Sequence, residues 1–204
     1  MNKAGLPIII SAPSGTGKTT TCKRLKERFP ALKIAISHTT RKIRNGELEG
    51  VDYYFVSNQE FEAKREKSQF LEWAQVHREY YGTSFETIEK HRQKGFDILL
   101  ELDVQGVNSL REMDFEGIYI LILPPSIEEM EKRLRKRGTE TEESIKRRIK
   151  IGKEEIKNYK KYDYVITNFE VEETAESILG ILRAEKSSAI RYVPTSEDIK
   201  DLMD

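Results

Sequence analysis

Little in this sequence invites cross-linking, membrane insertion or a net electrostatic pull on a partner. Among 204 residues there is a single cysteine, Cys22, so no disulfide can form within the chain, and a reducing cytoplasm is the expected location. Basic and acidic residues balance at 35 each, so net charge points neither to nucleic acid nor to a membrane surface. Long hydrophobic runs are missing. The apolar stretch near the start, Leu6 to Ile10, is too short for a secretory core and far too short to span a bilayer. No internal repeat or low-complexity tract is visible. What remains is 37% hydrophobic and 34% charged, enough apolar residues for a core together with long solvated helices. The length suits one compact α/β domain carrying small inserted subdomains.

Leu6-Pro7-Ile8-Ile9-Ile10-Ser11 reads as a buried strand, short and β-branched. A Gly/Pro/Ser turn follows, then a helix with Cys22, Leu25 and Phe29 on one face. Further strands are expected at Ile34 to Ser37, Asp97 to Asp103, Gly117 to Leu123 and Tyr164 to Thr167. Helical stretches separate them, which implies a parallel sheet with helices on both faces. A closing helix carries Val171, Ala175, Ile178, Leu179 and Leu182 at helical spacing.

Two regions break this rhythm. Residues 37–90 mix short β-like pieces, such as Tyr53-Tyr54-Phe55-Val56, with a helix opened by Ser57 and Glu60. That pattern describes an inserted α+β subdomain. Residues 126–157 are highly charged and helical, interrupted at Gly138, with capping-box spacing at Ser126/Glu129 and Thr139/Glu142. They read as a helical hairpin over solvent or ligand. Residues 1–36, 91–125 and 158–204 then form the core.

The strongest motif is Ala12-Pro13-Ser14-Gly15-Thr16-Gly17-Lys18-Thr19-Thr20, set between an expected strand and an expected helix. Gly15 and Gly17 allow backbone N–H groups to turn inward on an anion, and the helix adds its positive dipole end. In such a loop Lys18 holds the β- and γ-phosphates and Thr19 a Mg²⁺ ion. Ala12 replaces the first glycine of the general pattern. The motif indicates a nucleoside triphosphate and does not choose among kinase, GTPase and ATPase.

The inserted segment narrows the choice. It contains Ser37-His38-Thr39-Thr40-Arg41-Lys42-Ile43-Arg44, Gly46-Glu47, Gly50-Val51-Asp52-Tyr53, Phe70-Leu71-Glu72-Trp73-Ala74 and Tyr80-Tyr81-Gly82-Thr83. Later come Glu101-Leu102-Asp103-Val104-Gln105-Gly106, Pro124-Pro125-Ser126 and Arg137-Gly138-Thr139-Glu140-Thr141. With these motifs, in this order, the sequence resembles the guanylate kinase family from about Leu6 to Lys186. The resemblance implies the P-loop nucleoside monophosphate kinase fold. It also implies transfer of the terminal phosphoryl group of ATP to GMP, and to dGMP, with Mg²⁺ as cofactor.

By resemblance, Arg41, Arg44, Tyr53 and Tyr81 hold the GMP phosphate, a role suited to planar guanidinium forks and neutral O–H donors. Glu72 selects the base: a carboxylate accepts two adjacent hydrogen bonds, and guanine offers N1–H and its 2-amino group side by side. Ser37 and Thr83 match positions that read the rest of the guanine. Glu101 and Asp103 lie two apart at a strand end, on one face, where open α/β sheets bind ligands. Asp is frequent in the family at the position of Glu101, whose contact with acceptor or metal shell stays open. Arg133, Arg137 and Arg148 sit in the charged hairpin; the resemblance makes Arg137 and Arg148 lid residues that neutralise transferring charge, and Arg133 a further ATP contact. Asn168 matches a position beside the adenine, or serves only its turn. His38, His77 and His91 show no metal-ligand spacing. The tail from Ser187 either forms a short helix capped by Ser196 or frays.

Three rivals stand beside this reading: a scaffold module of the same fold that binds protein segments, a kinase for another acceptor, and a GTP switch. The intact Gly17, Lys18 and Thr19 oppose the first. The lack of an Asn-Lys-x-Asp guanine motif opposes the last.

Overall fold

The computed structural model describes residues 4–44, 46–76, 78–136 and 141–191. Its centre is a parallel sheet of five strands: β1 (Pro7–Ser11), β2 (Lys33–Ile34), β7 (Ile98–Glu101), β8 (Ile118–Leu123) and β9 (Tyr164–Thr167), ordered β2-β7-β1-β8-β9. All five residues of β1 are buried, as expected of a central strand covered on both faces. Alternation sends Ile8 and Ile10 to one face, against α1 (Lys18–Arg28) and α7 (Val171–Lys186) through Cys22, Leu25, Ala175, Ile178 and Leu182. Ile9 goes to the other face with Leu100, Tyr119, Leu121 and, from α4 (Val104–Glu112), Val107 and Leu110. The second strand is earlier and shorter than the expected Ile34–Ser37. It pairs at Lys33 and Ile34, Ala35 still donates to Leu99 O at 2.9 Å, and the chain then leaves the sheet.

A second sheet of four strands, β4-β3-β6-β5, is built from β3 (His38–Thr39), β4 (Tyr54–Phe55), β5 (Phe70–Val76) and β6 (Glu79–Ser84). Helix α2 (Asn58–Glu66) opens with the expected capping box: Ser57 Oγ accepts from Glu60 N and Glu60 reaches back to Ser57 N. Phe61 anchors it, stacked on Phe70 and Tyr80. Helix α3 (Phe85–Arg92) leads back to the main sheet.

The charged hairpin is α5 (Ile127–Lys136) and α6 (Glu142–Ile156), held by Met130, Leu134 and Ile145, a small core of its own. Ser126 Oγ accepts from Glu129 N at 3.1 Å, as its spacing suggests. The cap of α6 is Thr141, bonded to Ser144 N, rather than the earlier threonine; Thr139 and Gly138 lie outside the described residues. So do Arg137, His77 and Ser196. No helix among the described residues is long and apolar enough to cross a membrane.

Candidate active site

The loop between β1 and α1 lies at the carboxyl end of the sheet. Gly15 (φ 86°) and Gly17 (φ 99°) both take the left-handed conformation, and Gly17 is the N-cap of α1. A Cβ on Gly17 would stand 2.8 Å from Asn168 Nδ2, so both conformation and space demand glycine there. The first N–H groups of α1, Lys18 to Thr20, have no intrahelical acceptor. With the glycine turns they form a ready nest for phosphate oxygens.

The loop is braced from beneath. Asn168 is 1% exposed; its Nδ2 donates to Thr16 O at 2.7 Å and its Oδ1 accepts from Thr174 Oγ1 at 2.8 Å. Arg133 Nη1 donates to the same Thr16 carbonyl at 3.1 Å while Glu129 holds its Nε at 2.9 Å. Two residues expected at the donor site are engaged with protein here. The Asn168 side chain is a buried strut, with both ends of its amide bonded to protein. Thr16 turns its hydroxyl into the interior, fully buried and without a hydrogen-bond partner among the described residues, and its own N–H bonds Pro13 O at 3.2 Å. From the other side Arg148 Nη1 reaches Ser14 Oγ at 3.3 Å, so α6 already touches the loop.

Sheet register brings the next residues in. Ile10 pairs with Glu101, so the end of β7 stands beside the strand from which the loop leaves. Glu101 Oε1 accepts from Thr19 Oγ1 at 2.7 Å and lies 3.9 Å from Lys18 Nζ, which donates to Leu102 O at 2.7 Å. Asp103 is the N-cap of α4, accepting from Gly106 N at 2.8 Å. Its position at the ligand side of the sheet is as expected, but one of its oxygens is spent on the helix.

Across the cleft lies a carboxylate pocket. Glu72 on β5 is 9% exposed, and burial pushes its carboxyl up to about 7, partly offset by a hydrogen bond from Thr83. Thr83 Oγ1 also meets Ser37 Oγ at 3.0 Å, so the three expected base-reading residues are together. A Cβ on Gly106 would stand 3.3 Å from Glu72 Oε2, so the start of α4 forms the floor beneath that carboxylate. Nearby, Arg41 lies over the Tyr53 ring at 5.4 Å, and Tyr53 packs edge-on to Tyr81 with centroids 5.9 Å apart. Burial raises the Tyr53 phenol above its ordinary range, keeping it a neutral donor. Arg44 offers its backbone N–H to Glu47 at 2.8 Å, and its side chain is exposed.

A cleft of about 550 Å³ joins the two halves, walled by Lys18, Thr19 and Glu101 on one side and Ser37, Glu47 and Tyr53 on the other. Two of its features, and a third on α6 outside its lining, escape motif reasoning. Glu47 holds Arg41; its place in the quoted Gly46-Glu47 step was the available signal. Cys22 lines the cleft, with its thiol pushed up by burial and then by Glu101. Glu155 on α6 is raised by burial and by Asp103, a proximity that no local pattern shows.

A glycine-lined loop at a helix N-terminus that faces a second, carboxylate-bearing recess across one shared cleft is the arrangement of a P-loop nucleoside monophosphate kinase. The family model described as guanylate kinase matches residues 4–185. A guanylate kinase of Clostridioides difficile is 45% identical, covering 93% of each chain, and one of Caldanaerobacter subterraneus is 47% identical over 91% of this chain and 90% of its own. The crystal structure of guanylate kinase from Anaplasma phagocytophilum superposes with a TM-score of 0.75 at 36% identity, covering 94% of this chain and 91% of that one. The chain belongs to the guanylate kinase family.

Proposed function

We propose that this protein transfers the γ-phosphoryl group of ATP to GMP, and to dGMP, in the recycling of purine nucleotides within the cytoplasm. The observation that carries the reading is the shared cleft: Lys18 and Thr19 stand on one wall and the residues around Ser37, Tyr53 and Glu47 on the other. The acceptor's nucleophile is a phosphate oxygen that is already anionic, so no general base is needed. The task is to bring two polyanions together and to neutralise charge as the phosphoryl group moves.

In this reading Ala12 to Thr20 cradle the triphosphate, with Lys18 leaving the Leu102 carbonyl for the β- and γ-oxygens. Arg41, Arg44, Tyr53 and Tyr81 hold the acceptor phosphate. Glu72, Ser37 and Thr83 read guanine; adenine presents an acceptor at N1 and would leave the buried Glu72 carboxylate unpaired. Residues 37–90 serve as the acceptor subdomain and 126–157 as the lid, with Arg133, Arg137 and Arg148 its cations. Closure of that lid would exclude water and limit wasteful hydrolysis of ATP.

The residues fit Mg²⁺. Thr19 Oγ1 and Glu101 are already joined at 2.7 Å, giving hard oxygen donors of the kind the ion accepts beside water and substrate phosphate. Thr19 would hold it directly. Bound with ATP, the ion supplies positive charge between the phosphates.

An acceptor panel tests the proposal. With ATP and Mg²⁺, GMP and dGMP should be consumed far faster than AMP, CMP or UMP. Preference for AMP would overturn the role of Glu72, and no ADP with any acceptor would overturn the activity.

A further inference from the structure

Arg41 carries five N–H donors arranged along three edges of a plane. The structure accounts for two of those edges. On the end-on edge, Nη2 meets Glu47 Oε1 at 2.8 Å and Nη1 meets Glu47 Oε2 at 3.0 Å, a two-pronged pair. The outer proton of Nη1 goes to Lys42 O at 2.7 Å. What remains among the described residues is the side-on edge, Nε–H with the outer proton of Nη2, and Tyr81 flanks this group through the Tyr53 ring over which the guanidinium lies. Both partners of the pair are largely sheltered, with side-chain exposures of 11% and 20%. Glu47 does one thing more. Its Oε2 also accepts the Arg44 backbone N–H at 2.8 Å, so one carboxylate ties both ends of the Arg41–Arg44 segment. The Tyr53 and Phe55 rings lie 5.4 and 5.7 Å from the guanidinium carbon and pack against this group.

We propose that Glu47 is the positioning residue of the acceptor site: it takes the end-on edge of Arg41 so that the side-on edge is presented, beside Tyr81, to the phosphate of the incoming nucleoside monophosphate. This rests on the reading that the cleft takes GMP. Glu47 touches no substrate in this scheme and acts through Arg41. Its negative charge by itself repels the acceptor phosphate, so the geometry and the electrostatics pull in opposite directions. Pre-setting a long side chain removes an ordering cost of the size usual for an immobilised rotamer-rich residue. The proposal is that this gain wins. A carboxylate that merely occupied the fork until substrate displaced it would give the opposite sign on removal.

The test compares Glu47→Ala, Glu47→Gln and Arg41→Ala with the wild type, by calorimetric binding of GMP and of guanosine and by steady-state kinetics. Glu47→Ala is expected to weaken GMP about tenfold, with guanosine affinity and the KM for ATP unchanged. Glu47→Gln, which keeps the shape and one acceptor, should recover part of that loss. In an Arg41→Ala background, Glu47→Ala should cost GMP affinity nothing further, because the two act as one unit. Tighter GMP binding by Glu47→Ala, or losses that add fully in the double variant, would overturn the proposal. Equal weakening of guanosine would do so too, since it marks general loosening of the subdomain. The Arg41→Ala control separates the two levels. If it leaves GMP binding intact, the acceptor reading itself falls; if it abolishes binding while Glu47→Ala does nothing, only the positioning role falls.

Discussion

Replacing Glu72 by glutamine should make the empty protein more stable in alkali while ruining its acceptor site. The carboxyl is 9% exposed and titrates at about 7 in the folded chain, against an ordinary 4.5. Its folded value is raised, so the native state binds this proton more tightly than the unfolded chain does. The contribution to stability is whole below 4.5 and drains away as pH climbs through about 7. Integrating between those two values, the ionised carboxylate costs about 1 kcal/mol at about pH 5.5 and about 3 kcal/mol at about pH 8. Glutamine has no such proton. The stability gap between Glu72→Gln and wild type should therefore widen by about 2 kcal/mol across that interval, or about 4–8 °C in melting temperature for a domain of this size. The slope matters more than the offset, because the amide brings hydrogen-bonding demands of its own. Scanning calorimetry of both proteins, without nucleotide, at the two pH values measures it. A gap that stays constant would refute the claim that the buried carboxyl resists ionisation. GMP should reverse the ranking: its two donors suit a carboxylate, so the wild type gains stability by binding, while the variant binds GMP ~10²-fold or more weakly.

Other outcomes follow from the same geometry. Lys18→Ala should remove most turnover in a coupled assay while calorimetric GMP binding persists, because Lys18 serves the donor; equal loss of GMP affinity would contradict the division of the cleft. Gly106→Ala places a methyl 3.3 Å from Glu72 Oε2, and should raise the KM for GMP several-fold with the KM for ATP unchanged. Asn168→Ala strips a buried donor from Thr16 O, and should lower stability by about 1–3 kcal/mol in urea unfolding and weaken ATP. An unaffected KM for ATP would show that the strut does not shape the loop.

The sheet was legible because its strands are short apolar runs set between turn residues, and burial on both faces leaves no other place for Ile8, Ile9 and Ile10. The phosphate loop was legible because its geometry is local: two glycines in left-handed conformation followed by a helix. Ser37, Glu72 and Thr83, which family motifs grouped, lie side by side, although 46 residues separate the hydroxyls that now touch. What sequence reasoning did not foresee were the partners of polar residues that depend on distant packing. Asn168 and Thr16 are 152 positions apart, and nothing near either one announces that the amide of the first supports the carbonyl of the second. The cap of α6 went astray for a smaller reason: two threonines stand two residues apart in a polar stretch, and either could have begun the helix. Glu155 shows the same limit, since its carboxyl is raised first by burial and then by Asp103, far off in sequence.

One short piece of backbone touches both of the proposed nucleotide positions. Glu101 leans on Thr19, the Leu102 carbonyl holds the ammonium of Lys18, and Asp103 fastens the helix whose third residue underlies Glu72. A displacement of this tripeptide by a fraction of an ångström would be felt by donor and acceptor at once. Engineers who wish to retune one substrate preference will find here that the other moves with it, and that the independent adjustments lie farther out, on the small sheet.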